Sequence, residues 1–205
     1  MGSVLGRISV ETPKYQVLSS SAEYEIRHYA PAVVAEVTYT PSQFDGSRDG
    51  GFRVLADYIG ALGNPKNAKP EKIAMTAPVI TKSEKIAMTA PVITQGPPGG
   101  GGGGREEEEA VTMRFVLPAK YGSAEEAPKP LDERVVVREE EGRKYGVVRF
   151  GGVATEGAAR EKAERLREWL ERDGHKVAGE FVLARYNPPW TLPPFRTNEV
   201  MIPIE

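Results

Sequence analysis

Stretches in which apolar and polar residues alternate predict a protein built largely of β-strands. In the first half, strands are predicted at residues 15–18, 24–29 and 32–39, and the last is the clearest because it is rich in β-branched side chains. In the second half, the pattern predicts strands at residues 134–138, 145–150 and 181–186, and a last edge strand at 199–203.

Apolar residues at helical spacing predict two helices. The first begins after Asp49 and ends near Gly60, with a stripe formed by Phe52, Leu55, Ala56, Ile59 and Leu62. The second spans about 156–173 and ends at Gly174. Each half of the chain thus runs hairpin, helix and two strands. This order predicts an α+β domain of two related halves, with two helices on a curved, mostly antiparallel sheet.

An internal repeat separates the two halves. Residues 71–81 recur without change as residues 84–94, and a glycine-rich stretch and four glutamates follow. We interpret the repeat as a local duplication in a surface connection, the alternative being a doubled ligand- or partner-binding loop. Only one of the two copies can occupy a given strand of the sheet, and we expect it to be the first copy. The chain is then a single domain, 1–205, with a flexible insertion at about 82–109.

Composition and charge argue against several classes of protein. Lysine and arginine number 27 against 29 aspartates and glutamates, and no cysteine is present. A mildly acidic chain without a basic tract predicts no nucleic-acid partner. No run of about 18 apolar residues and no secretory segment is evident, so we expect no membrane insertion and a cytoplasmic location.

Few side chains are suited to catalysis or metal binding. His28 shares a predicted strand face with Tyr24 and Ile26, so we interpret it as an inward-pointing structural histidine, the alternative being a metal or haem ligand. His175 follows the second helix, where its partial charge suits the helix C-terminus. No familiar hydrolase or metalloprotease motif occurs. The chain is therefore predicted not to be an enzyme.

Several short motifs carry a family resemblance. They lie, in chain order, at residues 24–27, 51–60, 72–79, 186–189 and 196–200. Together they resemble the SOUL/haem-binding protein family over residues 10–205. The resemblance implies a distorted β-barrel with two flanking helices in pseudo-twofold halves. It also implies reversible binding of haem or another tetrapyrrole in an apolar groove, without an assigned enzymatic reaction.

The sequence departs from the family pattern at two informative positions. Met201 stands where the family often has tryptophan, and Pro31 or Ala32 stands where one member carries an axial histidine. Neither Pro31 nor Ala32 has a side chain that can ligate iron.

The resemblance directs the site prediction to the first helix. Phe52, Ala56 and Ile59 are predicted to lie under the macrocycle, although the same stripe also suits a plain core. Arg53 and Lys66 are predicted to meet the propionates through charge-assisted hydrogen bonds, and His28 is the candidate metal ligand.

Three functions remain open at this point. The first is a tetrapyrrole-binding protein that buffers or carries haem or its precursors. The second is an enzyme acting on a hydrophobic small molecule. The third is a protein-interaction module that displays the duplicated loop.

Overall fold

The computed structural model describes residues 6–85 and 109–205. Its two helices are α1 (Gly50–Ile59) and α2 (Glu156–Arg172). Its strands are β1 (Tyr15–Ser20), β2 (Glu25–Tyr29), β3 (Ala32–Tyr39), β4 (Val79–Lys85), β5 (Glu109–Val116), β6 (Val135–Glu140), β7 (Arg143–Gly151), β8 (Val182–Arg185) and β9 (Thr197–Ile204).

All nine strands join one sheet in the order β1-β2-β7-β9-β8-β4-β5-β3-β6, and each neighbouring pair is antiparallel. The sheet curls into a half-barrel with β1 and β6 at its edges. The predicted α+β class, with a mostly antiparallel sheet and two flanking helices, is confirmed. The relation between two halves stays a prediction.

Both helices pack on the same face of the curled sheet, which we call the convex face. Val79 of β4 belongs to the core beneath α1, whereas Leu183 of β8 belongs to the core beneath α2. Thr81 lies opposite Leu183 in the register, and residues two apart on a strand share a face. Ile80 and its register partner Ala184 therefore point to the other, concave face, which neither helix covers.

The prediction of an edge strand at 199–203 is wrong in its position. β9 lies inside the sheet, between β7 and β8. Proline inside a sheet is unusual because it cannot donate to a strand ladder. The structure accommodates Pro203 because β8 pairs with β9 only through Asn198–Met201, so Pro203 lies beyond the end of β8.

The helix boundaries follow local chemistry. α1 ends one turn earlier than its apolar stripe suggests, because Gly60 adopts a left-handed conformation with φ of 78°. Leu62 of the predicted stripe consequently lies outside the helix and is exposed. α2 is capped at its N-terminus by Thr155, whose side chain accepts a hydrogen bond from the Ala158 amide at 3.2 Å.

The first copy of the repeat holds the strand position, as predicted. Val79, Ile80 and Thr81 pair with β5 on one side and β8 on the other. Of the insertion predicted at 82–109, residues 82–85 complete β4 and Glu109 begins β5. The remainder, with most of the second copy, lies outside the described residues. Within 6–85 and 109–205, no helix is long and apolar enough to cross a membrane.

Candidate functional site

The predicted ring contacts on α1 differ in their access to solvent. Phe52 is half-buried, and its ring lies edge-on to Phe115 of β5 with 5.5 Å between centroids. Ala56 and Ile59 are only 0% and 2% exposed, and Ile59 belongs to the core between α1 and the sheet. They have no free surface to offer a ligand in this structure, so a ligand contact at these two positions stays a prediction that requires α1 to move.

The two predicted cations are brought to one face of α1. Lys66 follows the helix and returns to it, its backbone N–H donating to the Asp57 carbonyl at 2.9 Å. Its Nζ also donates to Asp57 Oδ2 at 2.6 Å. Arg53 precedes Asp57 by four residues, so the two share a helix face. Arg53 is exposed and makes no ion pair with any described residue. Arg53 and Lys66 therefore flank a single carboxylate.

Asp57 was missed by the sequence prediction. The spacing of Arg53 and Asp57 could have indicated it, because a carboxylate four residues after a cation lies on the same helical surface. The lysine that completes the group lies beyond the end of the helix, where helical spacing no longer predicts position.

The structure does not bring His28 to this surface. The expectation that His28 points inward is wrong, because its side chain is exposed. The core beneath α2 includes Tyr24 and Ile26 but stops short of His28. β2, which carries His28, pairs with β1 and β7, whereas α1 packs on β3, β5 and β6. Among the described residues, no cluster of three or more histidine and carboxylate side chains could hold a metal ion. Iron ligation by His28 stays a prediction.

A second arrangement lies on the concave face. Tyr29, Tyr145 and Tyr186 pack around a small apolar cluster that includes Val182 and Met201. The rings of Tyr29 and Tyr145 meet edge to face at 5.7 Å. These side chains line a cavity of about 50 Å³. A neighbouring cavity of about 230 Å³ shares several of its wall residues.

A buried ion pair lies beside the tyrosines. Arg27 Nη1 donates to Glu199 Oε1 at 2.9 Å, and the two side chains are 5% and 4% exposed. Tyr186 donates its hydroxyl to the other Glu199 oxygen at 2.7 Å, and Tyr29 accepts from Arg27. Burial disfavours the charge on Arg27, but Glu199 and Tyr29 more than restore it and raise the pKa of the guanidinium. Burial, reinforced by Glu199, raises the pKa of Tyr186. Both tyrosines therefore remain neutral phenols near pH 7.

The sequence model of the SOUL heme-binding protein family matches residues 10–84 and 81–203. This chain belongs to the SOUL heme-binding protein family. A family relative, heme-binding protein 2 from Homo sapiens, is 29% identical over 200 residues, which cover 95% of this chain and 86% of that protein. The family resemblance inferred from the motifs is confirmed.

Solved structures with the same fold are more distant in sequence. The C-terminal domain of EcmrR is 12% identical with a TM-score of 0.55, covering 93% of this chain and 98% of that one. A hydrolase from Listeria innocua is 10% identical with a TM-score of 0.53, covering 92% and 94%. These similarities support the fold alone.

Proposed function

We propose that this chain binds haem or a related tetrapyrrole reversibly and serves to buffer or carry it in the cytoplasm, without catalysing a reaction on it. The observation that carries the proposal is the match to a heme-binding protein family through residues 10–84 and 81–203. The heme-binding relative, which covers 95% of the chain, supports haem as the ligand.

The exposed face of α1 is the surface we propose for the macrocycle. The free part of the Phe52 ring offers an apolar contact beside two cations. Arg53 and Lys66 extend from the same face, which supports the proposal that both contact carboxylates at one edge of a planar ligand. Macrocycle burial supplies most of the affinity in this arrangement, and the cations set the orientation.

Asp57 weakens the interaction between Lys66 and a propionate. Its carboxylate already accepts a hydrogen bond from Lys66, so a propionate must compete for the same ammonium group. Since Lys66 is 60% exposed, this ion pair contributes only about 0.2–1 kcal/mol and is readily exchanged. Such weak competition suits reversible binding.

The direct experiment is a visible-absorption titration of the purified chain with haem and with metal-free protoporphyrin. We expect both to bind, with dissociation constants within about tenfold of each other, because the structure brings no histidine to α1. Haem binding a hundredfold tighter, with the advantage lost in His28→Ala, would establish ligation by His28 instead. Absence of binding by both ligands would refute the proposed function.

The proposed surface is tested by charge variants of the same titration. Arg53→Gln and Lys66→Gln should each weaken haem binding about threefold, and Asp57→Asn should strengthen it about twofold by freeing Lys66. Arg165→Gln, an exposed arginine on α2, is the matched control and should have no effect. Equal changes of haem affinity in Arg53→Gln and Arg165→Gln would show that the site does not lie on α1.

The carrier role is tested by transfer. Haem loaded onto the chain should pass completely to an acceptor protein with a tighter haem site, at a rate that Asp57→Asn slows. Retention of the haem would argue for a permanent cofactor rather than a carried ligand.

A further inference from the structure

We propose that the concave face of the sheet holds a second ligand site, one that takes a small planar aromatic carboxylate. The site lies on the face opposite the helices, so it goes beyond the proposed tetrapyrrole function and does not depend on it.

The cavity of about 50 Å³ on the concave face adjoins the cavity of about 230 Å³, whose wall also reaches Val33, Leu117 and Tyr121, and we call the two together the hollow. The walls of the cavity of about 230 Å³ and of the cavity of about 50 Å³ share Pro13, Ala30, Ala32, Val116 and Glu140. Together they are smaller than the roughly 300–1,000 Å³ of pockets for drug-sized ligands. The hollow therefore suits a molecule of one or two fused rings and is too small to enclose a tetrapyrrole.

The wall of the hollow is shaped for a flat ring. Ile80, Val182 and Met201 form an apolar floor, with Tyr145 and Tyr186 beside it. Aromatic side chains favour edge-to-face or offset contacts with a planar ligand. The floor lies next to the buried Arg27–Glu199 pair, whose charges are already satisfied by each other and by the tyrosines.

Met201 keeps the hollow open in this chain. It stands where the family pattern often has tryptophan, and in the structure it lines the cavity floor while only 4% exposed. Methionine is unbranched and adapts its shape, and its sulfur makes favourable contacts with aromatic rings. An indole at this position would occupy space that the thioether leaves free.

The wall of the hollow carries four glutamates and three cations, and two of these cations are available to an anionic ligand. Arg143 and Lys14 line the hollow and make no ion pair with any described residue, although Arg143 does hydrogen-bond the Tyr145 hydroxyl. The lining carboxylates are mostly engaged: Glu140 accepts from Arg114, and Glu11 and Glu139 accept from backbone amides. Glu141 is the remaining carboxylate in the wall.

The test is isothermal titration of the full chain with three naphthalene probes of equal size, namely 2-naphthoate, 2-naphthalenemethanol and 2-naphthylmethylammonium. We expect the carboxylate to bind at least fivefold more tightly than the alcohol, and the ammonium most weakly. Arg143→Gln should remove the preference for the carboxylate over the alcohol while leaving the affinity for the alcohol unchanged.

Filling the hollow tests its location. Met201→Trp should weaken 2-naphthoate binding at least tenfold, whereas Val153→Trp, which adds the same side chain at an exposed position, should not. If Met201→Trp fails to fold, Ile80→Phe narrows the hollow from β4 and should have the same effect. Haem titration of the folded variant should match that of the unaltered chain, which separates this inference from the tetrapyrrole proposal.

Three results would overturn the inference. If the wild-type chain binds none of the probes, the site does not exist. If it binds all three with equal affinity, the site does not select a carboxylate. Unchanged 2-naphthoate affinity in folded Met201→Trp or Ile80→Phe places binding elsewhere. Displacement of 2-naphthoate by stoichiometric haem would show one shared site rather than two.

Discussion

The two faces of the single sheet have different chemistries. The convex face is buried under α1 and α2 by aliphatic and aromatic side chains such as Leu55 and Leu166, both 0% exposed. Among residues 6–85 and 109–205, no helix lies over the concave face, which instead carries tyrosines and ion pairs, among them Arg27–Glu199. Because successive residues on a strand point to opposite faces, each strand contributes to both environments. The convex face is thus held by apolar packing, whereas the concave face combines apolar side chains with buried polar contacts.

The largest expected effect comes from breaking the buried pair on the concave face. Arg27→Met leaves Glu199 buried without its cation and should lower the free energy of unfolding by about 3–5 kcal/mol. Urea unfolding at pH 7 measures the loss.

The double variant Arg27→Met with Glu199→Leu is the control for that loss. Replacing both charges by apolar side chains is often neutral or stabilising, so most of the stability should return. A double variant as unstable as Arg27→Met would show that the concave face needs the ion pair itself.

On the convex face, two neighbouring residues of α1 should respond differently. Leu55→Ala should cost about 2–5 kcal/mol without changing the haem affinity of the folded protein, since Leu55 is fully buried. Phe52→Ala should cost less, about 2 kcal/mol, because the ring is half-buried, and should also weaken haem binding. Unfolding midpoints and absorption titrations measured on both variants check this. Unchanged affinity in Phe52→Ala would assign the ring to the core alone.

A smaller effect with a defined pH dependence is expected at Glu36 on β3. Burial opposes its charge, but Arg138 and Arg114 outweigh this and hold the pKa of Glu36 below its usual value of 4.5. The folded state therefore gains stability from ionised Glu36 above pH 4.5 and loses it as the pH falls below that value.

Glu36→Gln should accordingly cost about 1 kcal/mol at pH 7, and the difference from wild type should shrink progressively below pH 4.5. Unfolding free energies measured from pH 7 down to pH 3 provide the check. A constant difference across that range would mean that Glu36 acts by packing rather than by charge.

The smallest effect is expected from shortening the chain. Deletion of residues 84–94 keeps residues 71–81 and removes only Glu84 and Lys85 from the end of β4. Halving a connection changes the closure entropy by only about 0.6 kcal/mol. The thermal midpoint and porphyrin affinity should stay nearly unchanged. Loss of binding with the fold intact would make the second copy part of a site.

The repeat offers a matched pair of substitutions in identical local sequence. Ile73→Asp should be strongly destabilising because Ile73 is 4% exposed in the core, whereas Ile86→Asp should be tolerated. Equal tolerance of both substitutions would show that the second copy can replace the first.

Local pattern was sufficient to predict most elements. The strand at 32–39 matches β3, and the second helix differs from α2 by one residue. β5 was not predicted, although Val111, Met113 and Phe115 alternate with polar residues, because the adjoining glycine-rich and acidic residues were interpreted as a flexible loop. Alternation was the correct signal there.

Tertiary neighbours were harder to predict than elements. Arg27 and Glu199 are 172 positions apart, and no local pattern pairs them. The position of β9 inside the sheet likewise depends on which strands adjoin it, which alternation does not specify. Arg53 and Lys66 lie on one surface beside Asp57, and their role in binding a ligand stays a prediction. Ala56 and Ile59 are buried in this structure, and helical spacing alone cannot distinguish a core stripe from a ligand stripe.

The connection between β4 and β8 has a mechanical consequence. Only Val79–Arg185, Ile80–Ala184 and Thr81–Leu183 are paired there, whereas β7 and β9 pair through eight positions. The strands beneath α1 and the strands beneath α2 are thus joined by a short ladder of backbone hydrogen bonds. A force that pulls the two ends of the sheet apart would open it at this seam first, and the seam on the β4 side is drawn from the duplicated segment.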